Sequence, residues 1–269
     1  FPWIGSRPAA ELEATDFLAV ARRVEGRGAI ESAHRIMQNC GQVMRYAIAT
    51  GRAKRNPVAD LRGALASPPD NSFAAVTDPD ELAPLLRAMH GYSGTMVVRC
   101  ALQMAPMVFL RPGELRQAEW AEFDMDAKTW TIPASRMKMR RPHLVPLSDQ
   151  VLAVLEEIKP LTGRGRYVFP SARSRERPMS ENAVTAALRR MGYETGTVTG
   201  HGFRATARTI LDEVLGFRPD IIEHQLAHEV RDPNGRSYNR TSHLPERRRM
   251  MQEWAEYLDK LRAQPAKSI

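Results

Sequence analysis

A short polar stretch rich in proline divides this chain into two parts, each of which we expect to build its own core. Residues 66–72 read Ala-Ser-Pro-Pro-Asp-Asn-Ser, a composition that is typical of a stiff linker between domains. The 269 residues are enough for two ordinary domains with separate hydrophobic cores. The sequence therefore predicts an amino-terminal domain at residues 1–66, a linker at 67–76 and a carboxy-terminal domain at 77–269.

Periodic apolar residues predict helices in both parts of the chain. In the amino-terminal part, apolar side chains recur every three or four residues over 15–24 and over 30–49. In the carboxy-terminal part, Asp78 and Pro79 mark a helix start, and a second apolar helix begins at Thr95 and is interrupted near Pro106. A short helix is predicted from Pro112, and longer ones at 149–158, 180–191, 203–215, 219–227 and 245–261.

Two short segments break this helical pattern. Residues 128–133 and 143–147 have the alternation and composition of strands, and a basic loop at 135–142 joins them. We therefore expect a mainly α fold with one small antiparallel β-sheet, of the α+β class. The last predicted helix carries a strong apolar stripe, which either contacts a neighbouring protomer or folds back on its own domain.

Charge and composition limit the class of protein. The net charge of +8 and the isoelectric point near 9.9 favour a polyanionic partner. We expect no membrane span and no signal peptide, since no long apolar run occurs. Cys40 and Cys100 stand among helix-like apolar residues, which favours buried thiols in a reducing compartment. Because the chain begins at Phe1, we expect a fragment or a processed form.

A late tyrosine and four distant basic residues indicate chemistry on a phosphodiester. Ionising the phenol of Tyr238 at neutral pH costs roughly 4 kcal/mol, so it needs cations or a base beside it to act as a nucleophile. Arg111, Arg204, His201 and His228 are candidates for that role around one phosphate. Read from the residues alone, each of these has an ordinary alternative as a packed or surface side chain.

Spacing supports two of these candidates. Glu114 follows Arg111 by three residues and is able to orient its guanidinium from the same helical face. His201 and Arg204 lie three apart at a predicted helix start, where backbone amides also bind anions. Both pairs therefore suit recognition of a phosphate group.

The basic loop supplies a further group. Lys138 is able to protonate a leaving 5′-oxygen, which an arginine cannot do because it stays charged. The expected contacts to the DNA backbone are Arg136, Arg140 and Arg141 in the loop and Arg236 and Arg240 around the tyrosine. The alternative for the loop arginines is a solvated turn that touches phosphates without specificity.

Other site classes fit less well. His224 and His228 have the spacing of zinc ligands on a helix, but Gln225 stands where a zinc protease needs glutamate, and no third ligand is evident. The sequence contains no serine-hydrolase elbow, Walker loop or dinucleotide glycine motif. We therefore expect no metal and no cofactor.

The order and approximate spacing of six residues resemble the catalytic residues of the tyrosine recombinases, the phage integrase family. These residues are Arg111, Lys138, His201, Arg204, His228 and Tyr238. Arg-Pro-Gly-Glu-Leu-Arg at 111–116, Met-Lys-Met at 137–139 and Arg-Arg-Met-Met-Gln-Glu-Trp at 248–254 are similar to integrases of prophages and genomic islands. The resemblance implies a tyrosine-recombinase catalytic fold over about 73–269, preceded by an incomplete helical core-binding domain and lacking an arm-binding domain.

The resemblance also implies a mechanism and partners. Tyr238 would attack a DNA phosphate to form a 3′-phosphotyrosyl link, and Lys138 would protonate the departing 5′-hydroxyl. Arg111 and Arg204 would hold the non-bridging oxygens, with His201 as general base or phosphate donor and His228 as a second donor. Neither ATP nor metal would be needed. The implied partners are double-stranded attachment-site DNA, further copies in a synaptic tetramer and accessory DNA-bending proteins, in the bacterial cytoplasm.

Three alternatives remain open at this point. A type IB topoisomerase shares the tyrosine chemistry but religates the same strand. A DNA-binding module with an inactive site is disfavoured because all six catalytic residue types are present. A metal-dependent nuclease is the weakest, because the sequence offers no carboxylate cluster.

Overall fold

The computed structural model describes residues 3–67, 74–228 and 243–265. The chain divides into two compact units, Phe1–Ser72 and Phe73–Ile269, each with its own core. Among the described residues, no helix combines the length and the apolar character needed to cross a membrane.

The amino-terminal unit is built on two helices. Helix α1 spans Ala14–Glu25 and helix α2 spans Ile30–Ala49, so both predicted helices are confirmed to within one residue at each end. A short 3₁₀ helix, Pro57–Leu61, follows them, and the Asn56 side chain caps it by accepting from the Val58 amide. Two small apolar clusters, around Phe17 and Met44 and around Val24 and Ala33, hold these elements together.

The carboxy-terminal unit is also mainly helical. Its helices are α3 (Pro79–His90), α4 (Met96–Val108), α5 (Pro112–Arg116), α6 (Asp149–Thr162), α7 (Ala183–Arg190), α8 (Gly202–Glu213), α9 (Pro219–Gln225) and α10 (Leu244–Ala263). The predicted interruption of α4 near Pro106 is wrong. Pro106 lies in the last turn, where its missing amide removes a single hydrogen bond, and the helix ends at Phe109 with a left-handed φ of 37°.

Two small antiparallel sheets accompany these helices. Strands β1 (Phe123–Asp124), β2 (Thr129–Ile132) and β3 (His143–Pro146) pair in sequence order, with Trp130 opposite Val145. The two predicted strands, β2 and β3, are confirmed. The sequence reading missed β1 and the hairpin of β4 (Pro170–Ser171) and β5 (Ser174–Pro178), which are too short or too polar to show a two-residue period.

Helix α10 folds back on its own unit. Met250, Trp254 and Leu258 are each less than 5% exposed, and the Trp254 indole donates to the Pro106 carbonyl over 2.9 Å. Trp254 also meets Phe109 edge to face, with ring centroids 6.4 Å apart. The apolar stripe therefore closes the core of this unit, which decides between the two readings of that helix.

Candidate active site

Arg111 is fixed at the start of α5 by a buried carboxylate. Pro112 occupies the first helical position, and Glu114 accepts from the Arg111 backbone amide over 3.0 Å and from its Nη1 over 2.8 Å. Glu114 is only 5% exposed, whereas the Arg111 side chain keeps 21% of its surface. The pair thus presents a guanidinium whose direction is set before any ligand arrives.

Arg204 lies in the first turn of α8 and is almost completely buried. Its Nη1 donates to the Phe109 carbonyl over 3.1 Å and its Nη2 to the Leu226 carbonyl over 2.7 Å. Burial, and then the nearby Arg111 charge, lower the pKa of Arg204 to about 10, so it remains a cation at neutral pH. These bonds join the ends of α4 and α9 to α8 around a fixed positive charge.

His228 lies directly against Arg204. Its Nε2 is 3.0 Å from Nη2 of Arg204, and its Nδ1 is 2.5 Å from Oε2 of Glu223. The histidine is nearly half exposed, so this edge of the cluster opens to solvent. Glu223 received no role from the sequence, although its place five residues before His228 lets it bond the ring nitrogen.

His201 precedes α8 and lies close to the same cations. Burial, then Arg204 and Arg111, lower its pKa, so it is predominantly neutral at pH 7. The next residue must be glycine, because a Cβ on Gly202 would lie 2.1 Å from the Ala74 carbonyl oxygen. The segment that begins at Ala74 therefore crosses the start of α8 and accepts from the Thr199 amide over 3.2 Å.

The basic loop borders this cluster. Buried Met137 anchors it, and a shallow pocket is lined by Met137, Met139, Arg141, Pro142, His143, Ala227 and His228. Lys138 and Arg140, and Arg141 beside them, are exposed. The structure thus brings the loop beside His228 and leaves the Lys138 side chain free to move in solvent.

Arg136 has a different environment from the rest of the loop. Its guanidinium is paired with the Glu122 carboxylate and donates to the Glu114 carbonyl over 2.6 Å, and the side chain is only 13% exposed. The expected exposed contact to DNA is therefore not what this residue provides. Since Glu122 also accepts from the Trp130 indole over 2.9 Å, Arg136 fastens the first sheet to α5.

Three of the predicted site residues, Tyr238, Arg236 and Arg240, lie outside the described residues. His224, which shares a helix turn with His228, packs on His243 with ring centroids 5.5 Å apart. Within 3–67, 74–228 and 243–265, no group of three or more histidine, cysteine or carboxylate side chains could hold a metal ion.

A buried polar network behind the site was missed by sequence reasoning. His143 Nε2 bonds the Gln225 carbonyl over 3.0 Å, and burial followed by the Arg247 charge lowers the pKa of His143 to about 3. Arg247, at 2% exposed, donates to Gln225 Oε1 over 2.7 Å and to the Leu144 carbonyl. These contacts join β3, α9 and α10, and no local spacing announces them.

A second basic segment was also missed. Residues 164–177 contain five exposed arginines, and the pocket beside α6 is lined in part by Arg164, Arg166 and Arg175. Arg166 is paired with Glu119 over 2.8 Å, but none of the printed ion pairs among the described residues involves the other four. The composition alone held the signal, because the arginines alternate with small or polar residues through the unpredicted β4–β5 hairpin.

Comparison with known proteins gives a consistent result. The family model described as "Phage integrase central domain" matches residues 1–64, and that of the "Phage integrase family" matches residues 75–243. Prophage integrase IntA of Escherichia coli K12 is 40% identical over 256 residues, covering 95% of this chain and 61% of that protein. The integrase of Enterobacteria phage P4 is 39% identical over 273 residues, covering 96% of this chain and 62% of that protein.

Solved structures show the same fold. A lambda integrase dimer bound to a COC′ core site matches with a TM-score of 0.67 and 22% identity, covering 88% of this chain and 86% of that one. A lambda integrase tetramer bound to a Holliday junction matches with a TM-score of 0.63 and 19% identity, covering 85% and 67%. The chain spans about three fifths of the length of the two curated relatives above. On the family models and these relatives, the chain belongs to the phage integrase family, as a tyrosine recombinase of the prophage integrase type.

Proposed function

We propose that this chain carries the DNA cleavage and joining activity of a site-specific recombinase that integrates or excises a mobile element. The observation that carries the proposal is the cation cluster of Arg111, Arg204 and His228, which converges at the rim of the carboxy-terminal unit. Two guanidiniums and an imidazole suit the non-bridging oxygens of a single phosphodiester. Their fixed carboxylate and carbonyl partners preorganise the cluster for that charge.

The proposed reaction transfers a phosphoryl group to the protein and back. The Tyr238 hydroxyl attacks the phosphorus, a 3′-phosphotyrosyl bond forms, and the bond to the 5′-oxygen breaks. Lys138 gives that oxygen its proton, which the exposed position of the basic loop supports. His201 acts as general base or phosphate donor. A 5′-hydroxyl from another strand then attacks the phosphotyrosine and releases Tyr238.

The proposed partner is duplex DNA at an attachment site. The +8 charge, the exposed loop residues Arg140 and Arg141 and the arginines of 164–177 suit backbone contacts. Residues 1–66 would form the core-binding domain and 77–269 the catalytic domain. The lambda integrase structures on a core site and a Holliday junction support assembly of this chain into a synaptic tetramer. Accessory DNA-bending proteins and a place in the bacterial cytoplasm belong to the same proposal.

Two alternatives share part of this account. A type IB-like topoisomerase would use the same tyrosine but reseal the original strand, and an inactive module would only bind DNA. The family relatives named as integrases favour strand exchange between duplexes.

The test uses a duplex of the attachment site, nicked so that the released fragment diffuses away and the covalent adduct accumulates. Adding a second duplex with a free 5′-hydroxyl should convert the adduct into a recombinant strand. Relaxation of plasmid of arbitrary sequence, without joining between duplexes, would favour the topoisomerase. DNA binding without any adduct would favour the inactive module.

A further inference from the structure

The two ring nitrogens of His228 contact groups of opposite hydrogen-bonding character. Nε2 lies 3.0 Å from Arg204 Nη2, and a guanidinium can only donate. Nδ1 lies 2.5 Å from Glu223 Oε2, and an ionised carboxylate can only accept. Without DNA, His228 is therefore a neutral ring with its proton on Nδ1 and with the Nε2 lone pair facing Arg204.

Glu223 is itself held as an anion. Its Oε1 accepts from Arg208 Nε over 2.8 Å, and Arg208 Nη1 donates to Asp212 over 2.6 Å. Burial alone would raise the pKa of Glu223, but the hydrogen bonds from His228 and Arg208 outweigh it and lower the pKa. Helix α8 thus fixes the carboxylate that fixes the histidine.

This arrangement cannot bind a phosphate as it stands. Phosphate oxygens are acceptors, whereas His228 offers them the unprotonated Nε2. Resting on the proposed function, we propose that Glu223 is a positioning residue for His228. It directs Nδ1–H away from the DNA, and its negative charge supports the imidazolium that forms when a phosphate takes over the Arg204 contact. Nε2 then takes one proton from solvent and donates it in a hydrogen bond to the phosphate.

The charges around the ring determine when the proton enters. His228 faces Arg204 from α8, Arg141 and His143 from the edge of the basic loop, Arg111 and Glu114 from α5, His201 before α8, and Glu223 from α9. Protonating Nε2 beside Arg204 would bring two positive charges together. An arriving phosphate offsets both, so proton uptake accompanies DNA binding.

The first test needs no DNA. Nitrogen-15 NMR of histidine-labelled protein distinguishes the two neutral tautomers, and the wild type should show His228 with its proton on Nδ1. The Nε2–H tautomer, which free histidine prefers, would overturn the inference whatever happens to any variant.

The second test measures protons. Calorimetric titration of the Tyr238→Phe protein with attachment-site DNA, at pH 7 in buffers of different ionisation enthalpy, gives the number taken up. Glu223→Gln in that background should take up about one proton fewer per protomer. Glu213→Gln, an exposed glutamate at the end of α8, is the matched control and should equal its parent. Equal uptake with Glu223→Gln would overturn the inference.

The cleavage profile separates this inference from the proposed function. In Glu223→Gln protein that keeps Tyr238, adduct formation should fall off on the alkaline side at a pH lower by about one unit, because an opposing charge beside the ring is lost. Adducts formed by the wild type, together with an unchanged profile in the variant, would remove only the role of Glu223. A wild type that forms no adduct would remove the proposed function, while the tautomer would still report on the Glu223 contact.

Discussion

At the scale of single residues, the site depends on buried groups whose charge is set by their surroundings. Arg204 is buried yet stays charged because two carbonyls and His228 surround its guanidinium. His143 is equally buried, but it lies near Arg247 and Arg204 and stays neutral. One buried position thus keeps its positive charge for a phosphate, and the other avoids adding a competing one.

The depressed pKa of His143 predicts a pH dependence of stability. An unfolded histidine has a pKa near 6.5, whereas that of folded His143 is about 3, so the unfolded chain binds the proton more tightly. Its contribution is complete above pH 6.5 and is lost as the pH falls towards 3. In urea unfolding between pH 6 and 4, His143→Gln should reduce the slope of stability against pH by up to about 1.4 kcal/mol per unit. An unchanged slope would mean that His143 is protonated in the folded state.

Lys138 is predicted to act as the general acid. Lys138→Ala should slow adduct formation on ordinary DNA by about 10²-fold or more, because the 5′-oxygen then leaves unprotonated. A substrate with sulfur at that bridging position needs little protonation, so the variant should cleave it nearly as fast as the wild type. Arg140→Ala is the control from the same exposed loop and should show no sulfur rescue. Without rescue in Lys138→Ala, the acid is another group.

Spacing along the chain predicted part of this site and could not predict the rest. Arg111 with Glu114 lies within one helical turn, so a local pattern was sufficient to predict their contact. The contacts of Arg136 with Glu122 and of Arg247 with Gln225 join segments 14 and 22 residues apart. Such contacts depend on how the elements pack, which no single-segment pattern contains.

At the scale of elements, α10 is tied to the site by a side chain as well as by its apolar stripe. Arg247, in its first turn, bonds Gln225 at the end of α9 and Leu144 in β3. The periodic stripe of α10 was visible in the sequence, and its burial follows from that period. Arg247 looked like one of three consecutive surface arginines, since the partners that bury it come from other elements.

Replacing this arginine should loosen the packing of three elements. Arg247→Met leaves Gln225 Oε1 and the Leu144 carbonyl without their donor, which should lower the free energy of unfolding by about 2–4 kcal/mol. Chemical denaturation measures the change. Arg248→Met is the matched control, because Arg248 is exposed and makes only a long 3.3 Å contact, and it should change stability by less than about 0.5 kcal/mol. Equal effects of the two variants would contradict the proposed clamp.

At the scale of the whole molecule, the excess of positive charge predicts how binding responds to salt. If backbone phosphates dominate, log K should fall linearly with log salt, with a slope of about −0.9 for each phosphate neutralised. Replacing Arg173, Arg175 and Arg177 by glutamine should make the slope shallower by up to about three such contacts. Arg99→Gln, an arginine already paired with Glu157, is the control. Fluorescence anisotropy across a salt series measures the slope, and a flat response would argue against backbone binding.

The central claim is that Tyr238 and the cluster of Arg111, Arg204 and His228 act on one phosphate. The most direct measurement is mass spectrometry of the peptide that stays attached to a nicked attachment-site duplex. The account predicts a phosphotyrosyl link at Tyr238, and it predicts that Tyr238→Phe binds the same DNA with similar affinity but forms no adduct. DNA attached at Tyr193 or Tyr257, or adducts that persist in Tyr238→Phe, would contradict it.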